Sequence, residues 1–173
     1  DAGVRIHLYP APEVLHTKCF LVDNEIAVLG SSNMDMRSFG LNYEISLQAK
    51  RLQGVDFFCG LTFPVGDLKT CGTLICGGWG GSVTGISSID GMDASNNATG
   101  TYQRYEDDKW YQIRLRVTPE NLSVWVDDKQ VVDQDIKGRK ISLRPGPIES
   151  YAPLAISTFN TSAALKNIRL KAL

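Results

Sequence analysis

Hydrophobic and polar residues alternate along KWYQIRLRVT, residues 109–118. Successive side chains of a β-strand point to opposite faces of a sheet, so this alternation predicts a half-buried strand. One face would carry Trp110, Gln112, Arg114 and Arg116, and the other Tyr111, Ile113, Leu115 and Val117. We expect the second of these faces to lie in the core of a β-protein.

Short runs of similar character fill the chain after Gly54, and turn residues separate them. The runs are DFFCGLTF, TLICGGW, SVTGISSI, NLSVWV, QVVDQDI, KISLR, LAISTF and ALKNIRLKAL. NLSVWV and QVVDQDI flank the turn Asp127-Asp128-Lys129, which predicts an antiparallel hairpin. Many short strands with few helix-forming residues predict a mainly β fold, an antiparallel β-sandwich.

The segment SSIDGMDASNNATG, residues 87–100, interrupts this pattern. Its Asp, Asn, Ser and Gly content predicts a long surface loop, because these residues favour turns. It contains Asn97-Ala98-Thr99, a sequon that serves as a glycosylation acceptor only in a eukaryotic secreted protein.

The N-terminal part has a different texture, with apolar runs GVRIHLY (3–9), VLHTKCFLVD (14–23) and EIAVLG (25–30). Pro10 and Pro12 separate the first run from the second and exclude a helix there. The polar turn at Asp23-Asn24 joins the second run to the third, so these two predict a hairpin.

Composition and charge argue against several classes of function, including nucleic acid binding and zinc binding by paired cysteines. The chain has 173 residues and a net charge of −1, and no basic stripe favours a nucleic acid partner. No apolar run approaches the ~20 residues of a transmembrane helix. Its cysteines form no paired CxxC zinc pattern, and we expect no cofactor. Buried thiols and one disulfide among the last three both remain open for Cys19, Cys59, Cys71 and Cys76.

Residues 15–38, LHTKCFLVDNEIAVLGSSNMDMRS, carry reactive residue types at fixed offsets. A neutral imidazole at His16 can attack phosphorus. Lys18 would project from the same face of a strand and stabilise charge on phosphate oxygens, while Asp23 would orient a neighbouring side chain. Hydrogen-bond donors for a phosphate follow in the turn after the next strand, at Ser31, Ser32 and Asn33.

The spacing His16-x-Lys18-x4-Asp23-x6-Gly30-Ser31-x-Asn33, with the flanking words YPAP and GSSNMDMRSFGLNYE, resembles the C-terminal HKD motif of bacterial cardiolipin synthases. These enzymes belong to the phospholipase D superfamily, and the resemblance covers residues 1–47. It implies phosphodiesterase or phosphatidyltransferase activity, a phospholipid ligand and membrane association. It also implies two facing HKD copies, in which one histidine attacks and the other protonates the leaving alcohol.

Only one HKD copy is present in this chain. The other histidine, His7, has no lysine two residues later. A working phosphodiester site would therefore need a second subunit, which implies a homodimer.

From NYEISL onward, residues 42–173 resemble the β-sandwich domain of the 3-keto-disaccharide hydrolase family, a concanavalin-like and LamG-like jelly roll of secreted bacterial proteins. The matching words include DFFCGLTFPVGD, GGWGGSVTGISSIDG and WYQIRLRVTPENLSVWVDDKQVVD. The resemblance implies carbohydrate recognition or glycoside hydrolysis in a secreted or periplasmic location. No Glu-x-Asp-x-x-Glu triad of the related glucanases is present.

Three residues of this part are candidate ligand contacts. Trp79 lies in the turn GGWGG, where small neighbours would leave the indole face open for a sugar ring or, alternatively, for packing. Asp90 and Asp93 could bind sugar or calcium, although such residues are more often turn formers. Trp125 alternates with core positions, and we interpret it as structural.

The two resemblances overlap at NYEISL, residues 42–47. We interpret the chain as a chimera, whether engineered, recombined or misassembled, of a phospholipase D-like fragment (1–47) and a sandwich domain (48–173). Its N-terminal strands are expected to join an edge of the sandwich. Two functions remain open: a carbohydrate-recognising or glycoside-hydrolysing sandwich, and a phospholipase D-type enzyme completed by dimerisation.

Overall fold

The computed structural model describes residues 18–22, 26–30 and 42–173. The chain divides into two compact units, residues 1–38 and 39–173. In the first unit, β1 (Lys18–Val22) and β2 (Ile26–Gly30) pair antiparallel, with Val22 opposite Ile26. The predicted hairpin is therefore confirmed, and the run 3–9 lies outside the described residues.

The extra N-terminal strands are present as predicted, but their pairing differs from the expectation. In the described part of the chain, β1 and β2 form a two-stranded sheet of their own instead of extending an edge of the sandwich. A hairpin with a short connection pays little loop-closure entropy, which favours this local pairing over a distant one. The expected recruitment of these two strands into the sandwich is thus wrong.

The second unit is a sandwich of two five-stranded antiparallel sheets, as predicted. Sheet 1 has the order β10-β9-β8-β3-β12, and sheet 2 the order β11-β4-β5-β6-β7. The strands of sheet 1 are β3 (Tyr43–Gly54), β8 (Tyr111–Val117), β9 (Asn121–Val126), β10 (Lys129–Asp135) and β12 (Thr161–Ala172). Those of sheet 2 are β4 (Cys59–Val65), β5 (Asp67–Gly77), β6 (Val83–Ser87), β7 (Thr101–Tyr102) and β11 (Ala155–Ser157).

Two short helical turns complete the unit, α1 (Gly78–Gly81) and a 3-10 helix (Pro147–Tyr151). The run KISLR (140–144) forms only an isolated bridge between Ile141 and Ile89. Strand β3 (Tyr43–Gly54) continues across residue 47, where the sequence predicts the boundary between the two domains. That domain boundary remains a prediction. No helix in the described residues is long and apolar enough to span a membrane.

Sheet 1 buries one face, as its alternation predicts. Every second residue of β8 lies in the core, from Tyr111 to Val117, and its neighbour β3 shows the same pattern. The hairpin of β9 and β10 is also confirmed. The Tyr43 hydroxyl donates a hydrogen bond to the Pro64 carbonyl and so links β3 to β4 across the sandwich.

Sheet 2 buries both faces. All seven residues of β4 and all five of β6 are buried. One face packs on sheet 1 through side chains such as Leu61, Leu74 and Ile86. The other carries small residues such as Gly60 and Gly85 and lies beneath the loops, where the cleft described below is found.

Truncation of Ile113, at the centre of the core face of β8, tests this packing. Its side chain is fully buried. We expect Ile113→Ala to lower the free energy of unfolding by about 2–5 kcal/mol and Ile113→Val by about 0.5–1.5 kcal/mol, because each removed methyl group leaves a cavity. Urea denaturation followed by circular dichroism measures both values. Equal stability of Ile113→Ala and wild type would contradict the placement.

Candidate functional site

The outer face of sheet 2 forms the floor of a cleft of about 610 Å³. Thr73 lies opposite Ser87, and Gly60 lies opposite both Ile75 and Ser157 in the strand register, so these positions share one face of the sheet. Thr73, Ile75, Ser87 and Ser157 line the cleft. The floor therefore combines hydroxyl groups with small or aliphatic side chains.

Aromatic side chains surround this floor. They are Phe57, Trp79, Tyr151 and Phe159. Trp79 is 38% exposed and Phe159 is 55% exposed, and Phe57 stacks on Phe159 with ring centroids 6.0 Å apart. Since exposed aromatic surface is costly in water, this rim marks the cleft as a place where an apolar ligand face would be stabilised.

The turn GGWGG projects Trp79 into the cleft. Trp79 has φ 49° and ψ 57°, and Gly77, Gly80 and Gly81 also have positive φ values. Glycine adopts this left-handed backbone without the steric cost of a Cβ atom, so the glycines permit the tight turn. The Asp56 carboxylate accepts hydrogen bonds from the backbone N–H of Phe57 at 2.8 Å and of Gly80 at 3.5 Å, which fixes the turn against the segment that precedes β4.

A polar group closes one side of the cleft. Arg144 lines it, and its Nε atom lies 3.5 Å from Oδ2 of Asp93. The other carboxylate oxygen of Asp93 accepts a hydrogen bond of 2.8 Å from the Ser87 hydroxyl. Asp93 thus abuts the cleft and orients two of its lining residues.

Asp90 lies apart from the residues that line the cleft. Its carboxylate accepts hydrogen bonds from the backbone N–H of Lys140 at 2.8 Å and from the Arg139 guanidinium at 2.9 Å. Both contacts lower the pKa of Asp90, and the hydrogen bond from the backbone N–H of Lys140 has the larger effect. The role of Asp90 in this structure is to fasten the loop 87–100 to residues 139–140.

Asn97, the first residue of the glycosylation sequon, makes side-chain hydrogen bonds that stabilise the loop 87–100. Its amide Nδ2 donates hydrogen bonds to the carbonyls of Ile86 and Met92, at 2.8 and 2.9 Å. Its Oδ1 accepts from the backbone N–H and the hydroxyl of Thr99, which is buried. The sequon residues thus hold the loop against β6, next to Ser87. The expected loop is present, although Ile89, Ala94 and Thr99 within it are buried.

The sequence predicts Trp79, which lines the cleft, and Asp93, which abuts it, but not the remaining lining residues. Arg144, Tyr151 and Phe159 come from the segments that flank β11, far from Trp79 in the sequence, and Tyr151 ends the 3-10 helix. Large aromatic residues in Pro- and Gly-rich segments were the available signal. Trp125 lies on the outer face of sheet 1, where the guanidinium of Arg114 lies 4.0 Å from its ring centroid.

Most of the N-terminal residues that the sequence predicts for phosphodiester chemistry lie outside the residues that the structure describes. His16, Asp23, Ser31, Ser32 and Asn33 are not among the described residues, and for Lys18 only the backbone is described. The register of the hairpin places Lys18 directly opposite Gly30. The backbone therefore brings the lysine position next to the start of the Gly-Ser-x-Asn cluster.

The cysteines of the second unit are free thiols. Cys59, Cys71 and Cys76 are buried, and Cys59 lies opposite Cys76 in the register of β4 and β5. A hydrogen bond with Cys59 and burial raise the pKa of Cys76. No group of three or more His, Cys, Asp or Glu residues in the described ranges could hold a metal ion.

Comparison with known proteins gives different relatives for the two parts. Residues 1–54 match the family model described as "Cardiolipin synthase, PLD-like domain". Cardiolipin synthase of Halalkalibacterium halodurans is 49% identical over 55 residues, which are 32% of this chain and 11% of that protein. Cardiolipin synthase A of Pseudomonas fluorescens is 56% identical over 46 residues, or 27% of this chain and 9% of that protein. The chain thus spans about a tenth of the length of these relatives.

Among solved structures, the carbohydrate-binding module CBM66 from Bacillus subtilis is similar, with a TM-score of 0.51 and 14% identity. The match covers 76% of each chain. Both resemblances predicted from the sequence are confirmed, the first through residue 54 and the second as a β-sandwich fold. The narrower concanavalin-like and LamG-like assignments remain predictions.

Replacing Asn97 tests the loop that supports the cleft. We expect Asn97→Ala to lower the free energy of unfolding by about 1–3 kcal/mol, because it removes the partners of buried backbone groups. Asn96→Ala is the matched control, since the Asn96 side chain makes no hydrogen bond within the described residues, and we expect a change within about 0.5 kcal/mol. Urea denaturation of the three proteins measures the difference. Equal effects at the two positions would refute the structural role of the sequon.

Proposed function

We propose that the sandwich unit binds carbohydrate in the cleft over sheet 2. The observation that carries this proposal is the combination of an aromatic rim, which includes Trp79 and Phe159, with a floor of hydroxyl groups. Sugar rings present C–H faces that pack on aromatic rings, and their hydroxyls pair with polar side chains. In this arrangement Trp79 is the stacking platform, while Ser87, Ser157 and Arg144 provide hydrogen bonds.

The charged groups of the cleft are arranged to orient a ligand. Asp93 accepts a hydrogen bond from Ser87 and lies near Arg144. These two contacts restrict the orientations of the Ser87 and Arg144 side chains. Groups that are ordered before binding lose less conformational entropy when a ligand arrives. Asp93 is therefore a positioning residue in this proposal, and Asp90 contributes only by fastening the loop.

The geometry favours binding over hydrolysis. Glycosidases use two carboxyl groups about 5 to 9.5 Å apart, one of them as a proton donor. Among the described residues that line the cleft, Asp56 alone is acidic, and its oxygens accept hydrogen bonds from the backbone N–H groups of Phe57 and Gly80. The Asp93 carboxylate lies next to the cleft, where it accepts a hydrogen bond from Ser87 and pairs with Arg144.

The fold is compatible with this proposal. The similar structure from Bacillus subtilis is described as a carbohydrate-binding module, which shows that such a sandwich can present a sugar site. At 14% identity the likeness extends to the fold, so the ligand of this chain must be argued from its own cleft.

Substitution of Trp79 tests carbohydrate binding. Screening the full chain on a glycan array identifies a ligand, and isothermal titration calorimetry then measures its Kd. We expect Trp79→Ala to raise the Kd about tenfold or more, because loss of a stacked aromatic ring removes over ~1 kcal/mol. The control is Tyr102→Ala, since Tyr102 is 80% exposed and lies outside the cleft.

Two results would remove this site from consideration. One is a ligand whose Kd is the same for wild type and Trp79→Ala. The other is an equal loss for Trp79→Ala and Tyr102→Ala, which would indicate a general effect of removing exposed aromatic surface.

The match of residues 1–54 to the cardiolipin synthase family model favours a second function. In this proposal residues 1–47 form a phospholipase D half-site, with His16 as nucleophile, Lys18 as charge stabiliser and Asp23 as orienting group. Ser31, Ser32 and Asn33 bind the phosphate. A single imidazole cannot attack and protonate the leaving group at the same time, so a homodimer supplies the second copy.

The His16→Ala variant tests this second function. Turnover of a phospholipid or a chromogenic phosphodiester should fall by at least about a hundredfold, because the covalent step loses its nucleophile. His7→Ala is the control, since His7 lies outside the motif. Specific activity should also rise with protein concentration as dimers form. Turnover that is unaffected by His16→Ala, or undiminished in a monomer, would exclude the half-site model.

A further inference from the structure

The outer face of sheet 1 carries a concentration of positive charge outside the cleft. Its cationic side chains lie on three adjacent strands and are Lys50 of β3, Arg114 and Arg116 of β8, and Lys166, Arg169 and Lys171 of β12. The carboxylates on this face are Glu44 of β3 and, on β10, Asp133 and Asp135, which lie two strands away from β8. Residues 42–173 contain 15 basic and 14 acidic side chains in all, so this face, with six cations and three carboxylates, carries an excess of positive charge.

The strand register places these cations together. Lys171 lies opposite Glu44, which lies opposite Arg116, and Arg169 lies opposite Ser46, which lies opposite Arg114. Directly opposed residues share one face of a sheet, and the alternate positions of β3 and β8 are buried in the core. The basic face, as we call this set of six cations, therefore points away from the sandwich interior.

Two tryptophans hold some of these cations in position. The Lys166 ammonium lies 3.9 Å from the ring centroid of Trp110, and the Lys50 ammonium lies 5.4 Å from it. The Arg114 and Arg116 guanidinium groups lie 4.0 and 5.5 Å from the ring centroid of Trp125. Cation–π contacts of this kind reduce the freedom of long side chains and keep their charges over the sheet.

Part of the charge is compensated and part is not. Glu44 pairs with Arg116 at 3.0 Å and with Arg114 at 3.7 Å, and Asp108 pairs with Lys50 at 3.1 Å. Lys166, Arg169 and Lys171 have no carboxylate partner within the described residues. These three cations, all on the edge strand β12, give the basic face its excess charge.

We propose that the basic face docks on an anionic phospholipid bilayer surface. The cations spread over an area about 10 Å across three strands and about 20 Å along them, as strand spacing and rise require. A planar array of this kind can meet many lipid headgroups at once, whereas a linear polyanion is best held by a narrow groove. Lysine and arginine side chains on a surface that also carries tryptophan suit the polar region of a bilayer.

Vesicle sedimentation with the full chain tests this inference. Wild type should sediment with vesicles of phosphatidylcholine and phosphatidylglycerol, should not sediment with phosphatidylcholine alone, and should be released by added salt because ions screen the attraction. The triple variant Lys166→Gln, Arg169→Gln, Lys171→Gln should bind on the order of 100-fold more weakly, and Arg169→Gln alone about fivefold.

The control removes the same charge elsewhere. Lys69→Gln, Lys129→Gln, Lys137→Gln changes three exposed lysines that lie off the basic face, and it should bind like wild type. Three outcomes would overturn the proposal. They are equal binding to phosphatidylcholine alone, an equal loss in the control triple variant, and binding of a soluble polyuronate without binding of anionic vesicles. The first two outcomes do not bear on the Trp79 cleft, which belongs to the other sheet, and Trp79→Ala shows whether polyuronate binding belongs to that cleft.

Discussion

The sandwich depends on strand β3, which is the pairing partner of both β8 and β12 in sheet 1. Without it, the C-terminal strand would have no neighbour, and the core would lose Tyr43, Ile45, Leu47 and Ala49. Yet residues 43–54 also lie within the match to the cardiolipin synthase family model, which ends at residue 54. One strand thus satisfies two sequence patterns, because alternation of buried and exposed residues is the requirement that any half-buried strand must meet.

The two outer surfaces of the sandwich have different chemistry for a physical reason. Sheet 2 carries glycine, serine and threonine outward, so loops approach it closely and leave a cleft bordered by aromatic rings. Sheet 1 carries long charged side chains outward, whose aliphatic stems cover the sheet while their charged ends stay hydrated. A small ligand is suited to the first surface, and a broad charged one to the second.

The pattern of the sequence predicted most strands because each is short, alternating and bounded by turn residues. Where the sequence pattern is wrong, the error concerns which strands pair with each other. KISLR has the composition of a strand, but only Ile141 finds a bridge. The sequence pattern places the N-terminal hairpin at an edge of the sandwich, whereas the described strands β1 and β2 pair only with each other. A strand's composition does not specify its neighbour, since backbone hydrogen bonds are the same for every partner.

The candidate site shows the same limit. Trp79 was identified because four glycines surround it, and Asp93 because it lies in a polar loop. Arg144, Tyr151 and Phe159 were not identified, because only the packing of the segments around β11 brings them to Trp79. Asn97 likewise appeared as a modification site, while the fold uses its amide to support the loop.

The sequence alone determined the β class, the core face of each alternating strand and the presence of an HKD-type motif, since these follow from neighbouring residues and fixed spacings. The tertiary structure decided which strands pair, which aromatic residues share the cleft and which cations share a face. Those outcomes depend on contacts between residues that can lie more than a hundred positions apart, such as Glu44 and Lys171, and no local pattern encodes such contacts.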